Sequence, residues 1–143
     1  MSRDELILAA LAAGGENAAY RPVQVQKLFF LIDREASALV GGPHFDFQPY
    51  DYGPFDRDVY TELDNLAERR LVTAQSTGAY RVYSLSYEGY QRGDDILWHR
   101  LDEAARTYLA RIATWVLSLN FQQLVAAIYR RYPDMMVNSI FRG

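Results

Sequence analysis

Apolar residues recur at helical spacing over the first 40 positions and divide them into two helices. Ser2 and Glu5 have the spacing of a capping box, and the apolar stripe after them stops at Gly14. Pro22 suits the first turn of a second helix. Its apolar positions then follow at steps of three and four: Val25, Leu28, Phe29, Ile32, Ala36 and Leu39. We predict a short first helix and a longer, mostly buried second one.

The next segment changes from helical spacing to alternation and back again. Residues 44–52, HFDFQPYDY, alternate aromatic and polar positions, and Pro49 shifts the phase by one, which is typical of an extended edge segment with a bend. Asp56 is placed to cap a third helix. The apolar side of that helix has five positions: Val59, Tyr60, Leu63, Leu66 and Ala67.

The corner YGPF, residues 52–55, lies between these two elements. A residue before proline is pushed out of the helical region, so we expect Gly53 and Pro54 to halt the incoming strand and set a sharp turn. Counted from a cap at Asp56, Phe55 and Tyr60 occupy the two positions of a hydrophobic staple. Folding therefore explains most of this corner, but it does not explain Tyr52.

The second half of the chain predicts a hairpin and then more helix. Residues 71–75 and 80–86 flank a turn at STGA, and Ser86 is a plausible helix cap. From residue 94 to residue 119 apolar positions recur without a break, which predicts one long helix, with acidic residues 94–95 at its exposed start. A capping-box spacing at Asn120 opens the last helix, and Pro133 ends it.

These elements predict one domain over residues 1–143, α+β in class and mostly helical. Three helices followed by a two-stranded hairpin have the order of a winged helix-turn-helix, so residues 1–90 form a winged-helix-like core. Residues 94–143 follow it as carboxy-terminal helices. The length suits a single hydrophobic core.

Composition narrows the function classes. The formal charge is −3, so no global positive field attracts nucleic acid, and the absence of cysteine rules out disulfides and thiolate metal sites. No apolar run approaches a membrane span, and we expect a cytoplasmic protein. His44 and Asp46 are half of a metal or acid–base site without a third ligand at metal spacing. With no phosphate loop or nucleophile motif either, we expect no enzyme, metal or cofactor.

Two stretches resemble known families. QKLFFLID, followed by FQPYDYGPFDRDVYTELDNLAERRLV, resembles the Panacea-type domain, a phage-associated, antitoxin-like domain, and related bacterial proteins of uncharacterised function, over roughly residues 23–72. The matching positions are few: Lys27, Leu28, Tyr52, Gly53, Pro54 and Tyr60. This resemblance implies a small bacterial protein that binds and neutralises a toxin. Separately, residues 63–90 resemble the helix, wing and closing motif of winged-helix regulators, a likeness that we place over residues 56–90.

If the protein is a winged-helix regulator, the third helix and the hairpin would contact DNA. The candidate residues are four arginines and one asparagine: Arg57, Asn65, Arg69, Arg70 and Arg81. Residues 56–70, however, carry five acidic side chains against three arginines, and such a surface repels phosphates. DNA binding by a regulator is therefore our alternative, disfavoured by charge, although a dimer can gather basic patches that one chain lacks.

Protein binding is the function that we favour from the sequence. The chain has 11 tyrosines and 2 tryptophans, residue types that are enriched at the centres of interfaces. We place partner binding, with a toxin as one candidate partner, at Tyr50, Tyr52, Phe55 and Arg57. The long apolar stripe also predicts a homodimer through residues 94–132, because it exceeds what one small domain needs.

Overall fold

The computed structural model describes residues 1–143, except for the side chain of Thr77. Six α-helices and four short strands follow one another along the chain: α1 (Arg3–Ala13), α2 (Pro22–Val40), β1 (Gln48–Tyr50), β2 (Gly53–Phe55), α3 (Arg57–Glu68), β3 (Val72–Thr77), β4 (Tyr80–Leu85), α4 (Tyr87–His99), α5 (Glu103–Leu117) and α6 (Phe121–Arg131). A 3-10 turn, Pro133–Met136, follows α6. The predicted class, α+β and mostly helical, is confirmed.

Two separate antiparallel hairpins make up the β-structure. The predicted hairpin is present as β3–β4, but β3 runs two residues further than predicted: Thr77 pairs with Tyr80, and the turn consists of Gly78 and Ala79 only. Tyr20, between α1 and α2, adds a single bridge to Tyr83 of β4, with both backbone N–H···O distances at 2.8 Å. This bridge connects the β3–β4 hairpin to the segment between α1 and α2. Along the chain, this hairpin follows α1, α2 and α3, as predicted.

Helix α1 lies in the centre of the core and is covered on all sides. Every residue from Leu6 to Ala12 is buried, and α4 and α5 pack against this helix. Helix α4 has glycines at two points of close contact: Gly93 faces α1, and Gly89 faces the backbone of Leu71 just before β3. A Cβ atom on Gly93 would lie 2.3 Å from the carbonyl oxygen of Leu8, and one on Gly89 would lie 1.9 Å from that of Leu71.

The predicted helix starts are confirmed at four positions. Ser2 and Asn120 each form a complete capping box. The Asp56 carboxylate accepts from the backbone N–H of Asp58, and the Ser86 hydroxyl accepts from that of Gly89. These caps use contacts between residues two or three positions apart, and such contacts are readable from sequence.

The prediction of one long helix from 94 to 119 is wrong, because the chain breaks between α4 and α5. Arg100 ends α4, and the Asp102 side chain accepts from the N–H of Ala105 and starts α5. Arg106 bridges the break by donating to the carbonyl oxygens of Leu97 and Leu101. Asp94 and Asp95 accordingly lie within α4 and not at a helix start.

The break also changes the argument for a homodimer. Three of the seven stripe positions, Leu97, Leu101 and Ile112, are buried within the chain. Tyr108, Trp115 and Leu119 are half-buried and Ala104 is exposed, so part of the stripe is already covered by the chain itself. A homodimer through residues 94–132 stays a prediction, with the exposed Trp98 as its main remaining apolar contact.

The YGPF corner is built differently from the prediction. Tyr50 pairs with Gly53 in the hairpin β1–β2, so the turn consists of Asp51 and Tyr52. Gly53 and Pro54 begin the returning strand and do not halt the incoming one. The staple is confirmed, because the rings of Phe55 and Tyr60 are in edge contact at 5.8 Å between centroids. No helix among the described residues combines the length and apolarity needed to cross a membrane.

Candidate functional site: an aromatic cleft over a buried lysine

Lys27, the single lysine of the chain, lies inside the protein. Helix α2 is buried without interruption from Gln24 to Ile32, and Lys27 is only 4% exposed. Its Nζ donates to the carbonyl oxygen of Pro54 at 3.3 Å, which is its only hydrogen-bond acceptor among the described residues. A buried amine with a single acceptor is uncommon, because buried charges are normally paired.

An open cleft of about 290 Å³ lies over this amine. Its walls are mainly aromatic, and their rings contact one another in pairs. The rings of Tyr50 and Phe55 stack at 5.4 Å between centroids, and those of Tyr52 and Phe121 meet edge to face at 5.0 Å. We call this site the aromatic cleft; its lining is Pro22, Val23, Gln26, Lys27, Tyr50, Asp51, Tyr52, Gly53, Phe55, Tyr60 and Phe121.

Gly53 allows the hairpin to lie directly against the lysine. Its φ is +103°, which a residue with a side chain rarely adopts. A Cβ atom at this position would lie 3.7 Å from Lys27 Nζ and 3.3 Å from a ring carbon of Tyr129. The glycine is therefore required for its backbone conformation, and the hairpin lies in van der Waals contact with the lysine.

Gln26 holds the wall of the cleft to α2. Its Oε1 accepts from the backbone N–H of Asp56, and its Nε2 donates to the Asp56 carbonyl oxygen, both at 3.0 Å. The Tyr60 hydroxyl donates to the carbonyl oxygen of Pro22 at 3.4 Å. These bonds between α2 and the start of α3 position Phe55 and Tyr60 over the lysine.

The carboxy-terminal segment holds the hairpin from the other side. The backbone N–H of Ile140 and the hydroxyl of Ser139 both donate to the carbonyl oxygen of Asp51, at 2.9 Å and 3.2 Å. Asn138 donates to the carbonyl oxygen of Pro49 at 3.2 Å. The β1–β2 hairpin is thus bonded at two backbone positions, Pro49 in β1 and Asp51 in the turn, and it presents Tyr50 and Tyr52 from this anchored backbone.

Burial shifts the acid–base behaviour of the cleft. It lowers the pKa of the Lys27 ammonium to about 7, because the charged form loses hydration. It raises the pKa of Tyr60 to about 12 for the same reason. At neutral pH the floor of the cleft therefore holds an amine that exchanges between its charged and neutral forms beside a neutral phenol.

The structure brings together three of the four residues predicted to bind a partner. Tyr50 is 56% exposed, Tyr52 is 42% exposed and Phe55 is half-buried, and all three line the cleft. Arg57 is exposed on α3 and does not line it. The partner-binding prediction missed Lys27 and Phe121; a lone lysine in the apolar run VQKLFFLI was the signal available for the first.

Five of the six residues that carry the Panacea resemblance meet at or directly beside this cleft. Lys27 lies on α2, whereas Tyr52, Gly53 and Pro54 lie 25 or more positions later in the sequence, and Lys27 nevertheless contacts that corner directly. Tyr60 closes the wall from α3. Leu28, on the other side of α2, belongs to the hydrophobic core.

The arginines of the DNA-binding alternative lie on an exposed, largely acidic surface. Arg69 pairs with Asp4 at 3.0 Å, and Arg81 pairs with Asp64 at 3.1 Å. The remaining three residues, Arg57, Asn65 and Arg70, are exposed. Two of the four guanidinium groups are thus neutralised by carboxylates of the same chain, which lowers the attraction of this surface for phosphate.

His44 and Asp46 make separate local contacts. His44 Nε2 lies 2.9 Å from the carbonyl oxygen of Met1, and its Nδ1 is buried without a hydrogen-bond partner. The backbone N–H of Asp46 donates to the Asp56 carboxylate at 2.7 Å. Across the described part of the chain, no three His, Asp or Glu side chains are grouped so that they could hold one metal ion.

Comparison of the sequence with models of known protein families finds no match, and comparison with curated proteins finds none. The Panacea resemblance therefore stays a prediction. The functional argument that follows starts from the aromatic cleft itself.

Proposed function

We propose that this protein is a non-enzymatic protein-binding module of the cytoplasm, antitoxin-like or phage-associated, that neutralises or otherwise binds a protein partner. The observation that carries the proposal is the pair of exposed tyrosines, Tyr50 and Tyr52, on a hairpin anchored beside an aromatic cleft. Exposed aromatic side chains around a concave site are typical of interface centres. A toxin is the partner class that the sequence resemblance implies.

The construction of the cleft favours binding of a partner side chain. Tyrosine and phenylalanine bury a large area with few rotatable bonds, so ordering them costs little entropy. The rings already contact one another, and Gln26 and the carboxy-terminal segment hold the backbone that carries them. Such a prearranged surface loses less conformational freedom on binding than a flexible loop would lose.

The test compares Tyr52→Ala with Asp56→Ala. We expect Tyr52→Ala to keep the fold but to lose at least tenfold in affinity for the partner that co-purifies from the native host, because it removes an exposed wall of the cleft. We expect Asp56→Ala to lower the free energy of unfolding by about 1 kcal/mol through the lost helix cap. Thermal melts and quantitative pull-downs on both variants make the comparison.

Tyr87→Ala is the matched control, because Tyr87 is exposed on α4, away from the cleft. It should change neither the melting temperature nor the recovery of the partner. The proposal fails if Tyr52→Ala captures the partner as well as the unmodified protein does. Unfolding of Tyr52→Ala would instead show that Tyr52 is structural and that the corner serves folding alone.

A further inference from the structure

The amine of Lys27 has more hydrogen-bonding capacity than the fold uses. An ammonium group carries three donors, and among the described residues only the carbonyl oxygen of Pro54 accepts from it. No carboxylate of the described residues lies within ion-pair distance of Nζ. A buried charge without a counterion is unfavourable, so a ligand that brings a carboxylate gains from pairing with it.

We propose that the aromatic cleft is the docking site for an acidic side chain, Asp or Glu, which an apolar segment of the protein partner inserts so that its carboxylate pairs with the Lys27 ammonium. This inference rests on the proposed protein-binding function. Charge complementarity selects the occupant, because Lys27 is the only cationic residue of the lining. The aromatic walls select apolar neighbours of the acidic residue.

The size and donor set of the cleft favour a carboxylate over a phosphate. A volume of about 290 Å³ accommodates one or two side chains. A phosphate dianion needs several charged donors, and here a single ammonium is available, with Asp51 at the rim. A carboxylate carries one charge, which one ammonium neutralises.

Pairing with a carboxylate couples docking to proton uptake. An adjacent carboxylate favours the charged amine, so the pKa of Lys27 rises when the cleft is filled. Above pH 7 the free amine is progressively neutral, and the affinity should fall about tenfold per pH unit up to the pKa of the complex.

Two buried phenols near Nζ stay uncharged over this range. Tyr60 of α3 and Tyr129 of α6 both have raised pKa values because of burial, so they stay neutral below pH 9. The other ionisable groups of the lining are the carboxyl group of Asp51 and the phenols of Tyr50 and Tyr52. Helix α2 presents no other ionisable side chain to the cleft. The pH dependence expected between pH 7 and 9 therefore belongs to Lys27.

The single lysine makes the test direct, because lysine labelled with ¹³C at Cε yields one resonance. Two capped peptides serve as probes: acetyl-Phe-Glu-Phe-amide, whose only carboxylate is the glutamate, and acetyl-Phe-Gln-Phe-amide. We expect the Glu peptide to shift the Lys27 signal and to raise its pKa by at least one unit. The Gln peptide should bind at least tenfold more weakly at pH 7.

Lys27→Met is the matched variant, since it keeps the apolar stem and removes the charge. Because this variant has no lysine signal, peptide binding to it is measured from the NMR signals of the tyrosine rings. The variant should bind the Glu and Gln peptides with equal affinity. A third probe, acetyl-Phe-Gln-Phe with a free carboxyl terminus, separates the two sources of a carboxylate. If it binds more tightly than the Glu peptide, the cleft takes a chain terminus and the assignment to a side chain is overturned.

Other results also overturn the inference. They are equal affinity for the Glu and Gln peptides, a pH-independent affinity for the Glu peptide, or a Lys27 signal that no probe moves. The peptides need no partner, so this outcome is read separately from the pull-down. Suppose that Tyr52→Ala captures the partner as well as the unmodified protein does, while the Glu peptide still binds more tightly than the Gln peptide. The protein-binding proposal then fails, and the cleft is a site for carboxylates.

Discussion

At the scale of single residues, Lys27 carries the main electrostatic consequence of the fold. Burial lowers its pKa to about 7, whereas the unfolded chain titrates near the ordinary value of about 10.4. Between these values the unfolded chain binds more protons than the folded one. The free energy of unfolding therefore rises with pH in this window. The increase that is due to Lys27 is complete once the pH exceeds the pKa of the lysine in the unfolded chain.

We predict that this pH dependence disappears in Lys27→Met. Relative to the variant, the unmodified protein should gain about 2 kcal/mol in free energy of unfolding between pH 7.5 and 9.5, from a slope of up to about 1.4 kcal/mol per pH unit. Urea melts at several pH values measure the difference. Tyr60 and Tyr132, with pKa values raised to about 12, lose stabilisation only above pH 10 and do so in both proteins. Parallel pH curves for the two proteins would contradict the prediction.

At the scale of elements, the packing of α4 against α1 depends on Gly93. A Cβ atom on Gly93 would lie 2.3 Å from the Leu8 carbonyl oxygen and 2.8 Å from the Ala12 methyl. The first of these is backbone and cannot move aside without displacing α1. The sequence analysis assigned no role to this glycine, because a close approach of two helices depends on residues about 85 positions apart.

We predict that Gly93→Ala lowers the free energy of unfolding by about 2 kcal/mol, the usual cost of overpacking. Helix propensity alone would predict the opposite change, because alanine is favoured over glycine in a helix by about 1 kcal/mol. Gln91→Ala, at an exposed position of the same helix, is the control and should stay within about 0.5 kcal/mol of the unmodified protein. Denaturant melts of both variants test this, and a stabilised Gly93→Ala would show that the helices separate easily.

The elements also show where prediction from sequence succeeds. Caps at Ser2, Asp56, Ser86 and Asn120 were predictable because each depends on residues two or three positions apart. The break at residues 100–102 was not predictable from the apolar stripe. The stripe continues across it, because both helices bury their apolar sides in the same core.

At the scale of the whole molecule, charge argues against a DNA-binding regulator. The chain has a formal charge of −3, and the exposed side of α3 is acidic. Two of the candidate arginines are already paired with carboxylates of the chain. Neutralisation of phosphates by Lys and Arg supplies most of the non-specific affinity for DNA. On this surface few arginines remain unpaired to provide it.

We predict no saturable binding to random duplex DNA at low ionic strength, the condition that most favours electrostatic attraction. Fluorescence anisotropy with a labelled 20-base-pair duplex provides the measurement. The double variant Asp4→Asn and Asp64→Asn, which frees Arg69 and Arg81, is the sensitive comparison and should bind more tightly than the unmodified protein. Tight binding by the unmodified protein, with a steep dependence on salt, would favour the regulator instead.

The sequence by itself determined the helix starts at Ser2, Asp56, Ser86 and Asn120, the β3–β4 hairpin, the mostly helical α+β class and three aromatic residues of the cleft. Each depends on contacts within a few positions or on the alternation of apolar and polar side chains, which the printed order already contains. Only the tertiary structure decided that Lys27 lies under the YGPF corner and that Phe121 closes the cleft. Those contacts join residues tens of positions apart, and packing of the whole chain determines which of them form.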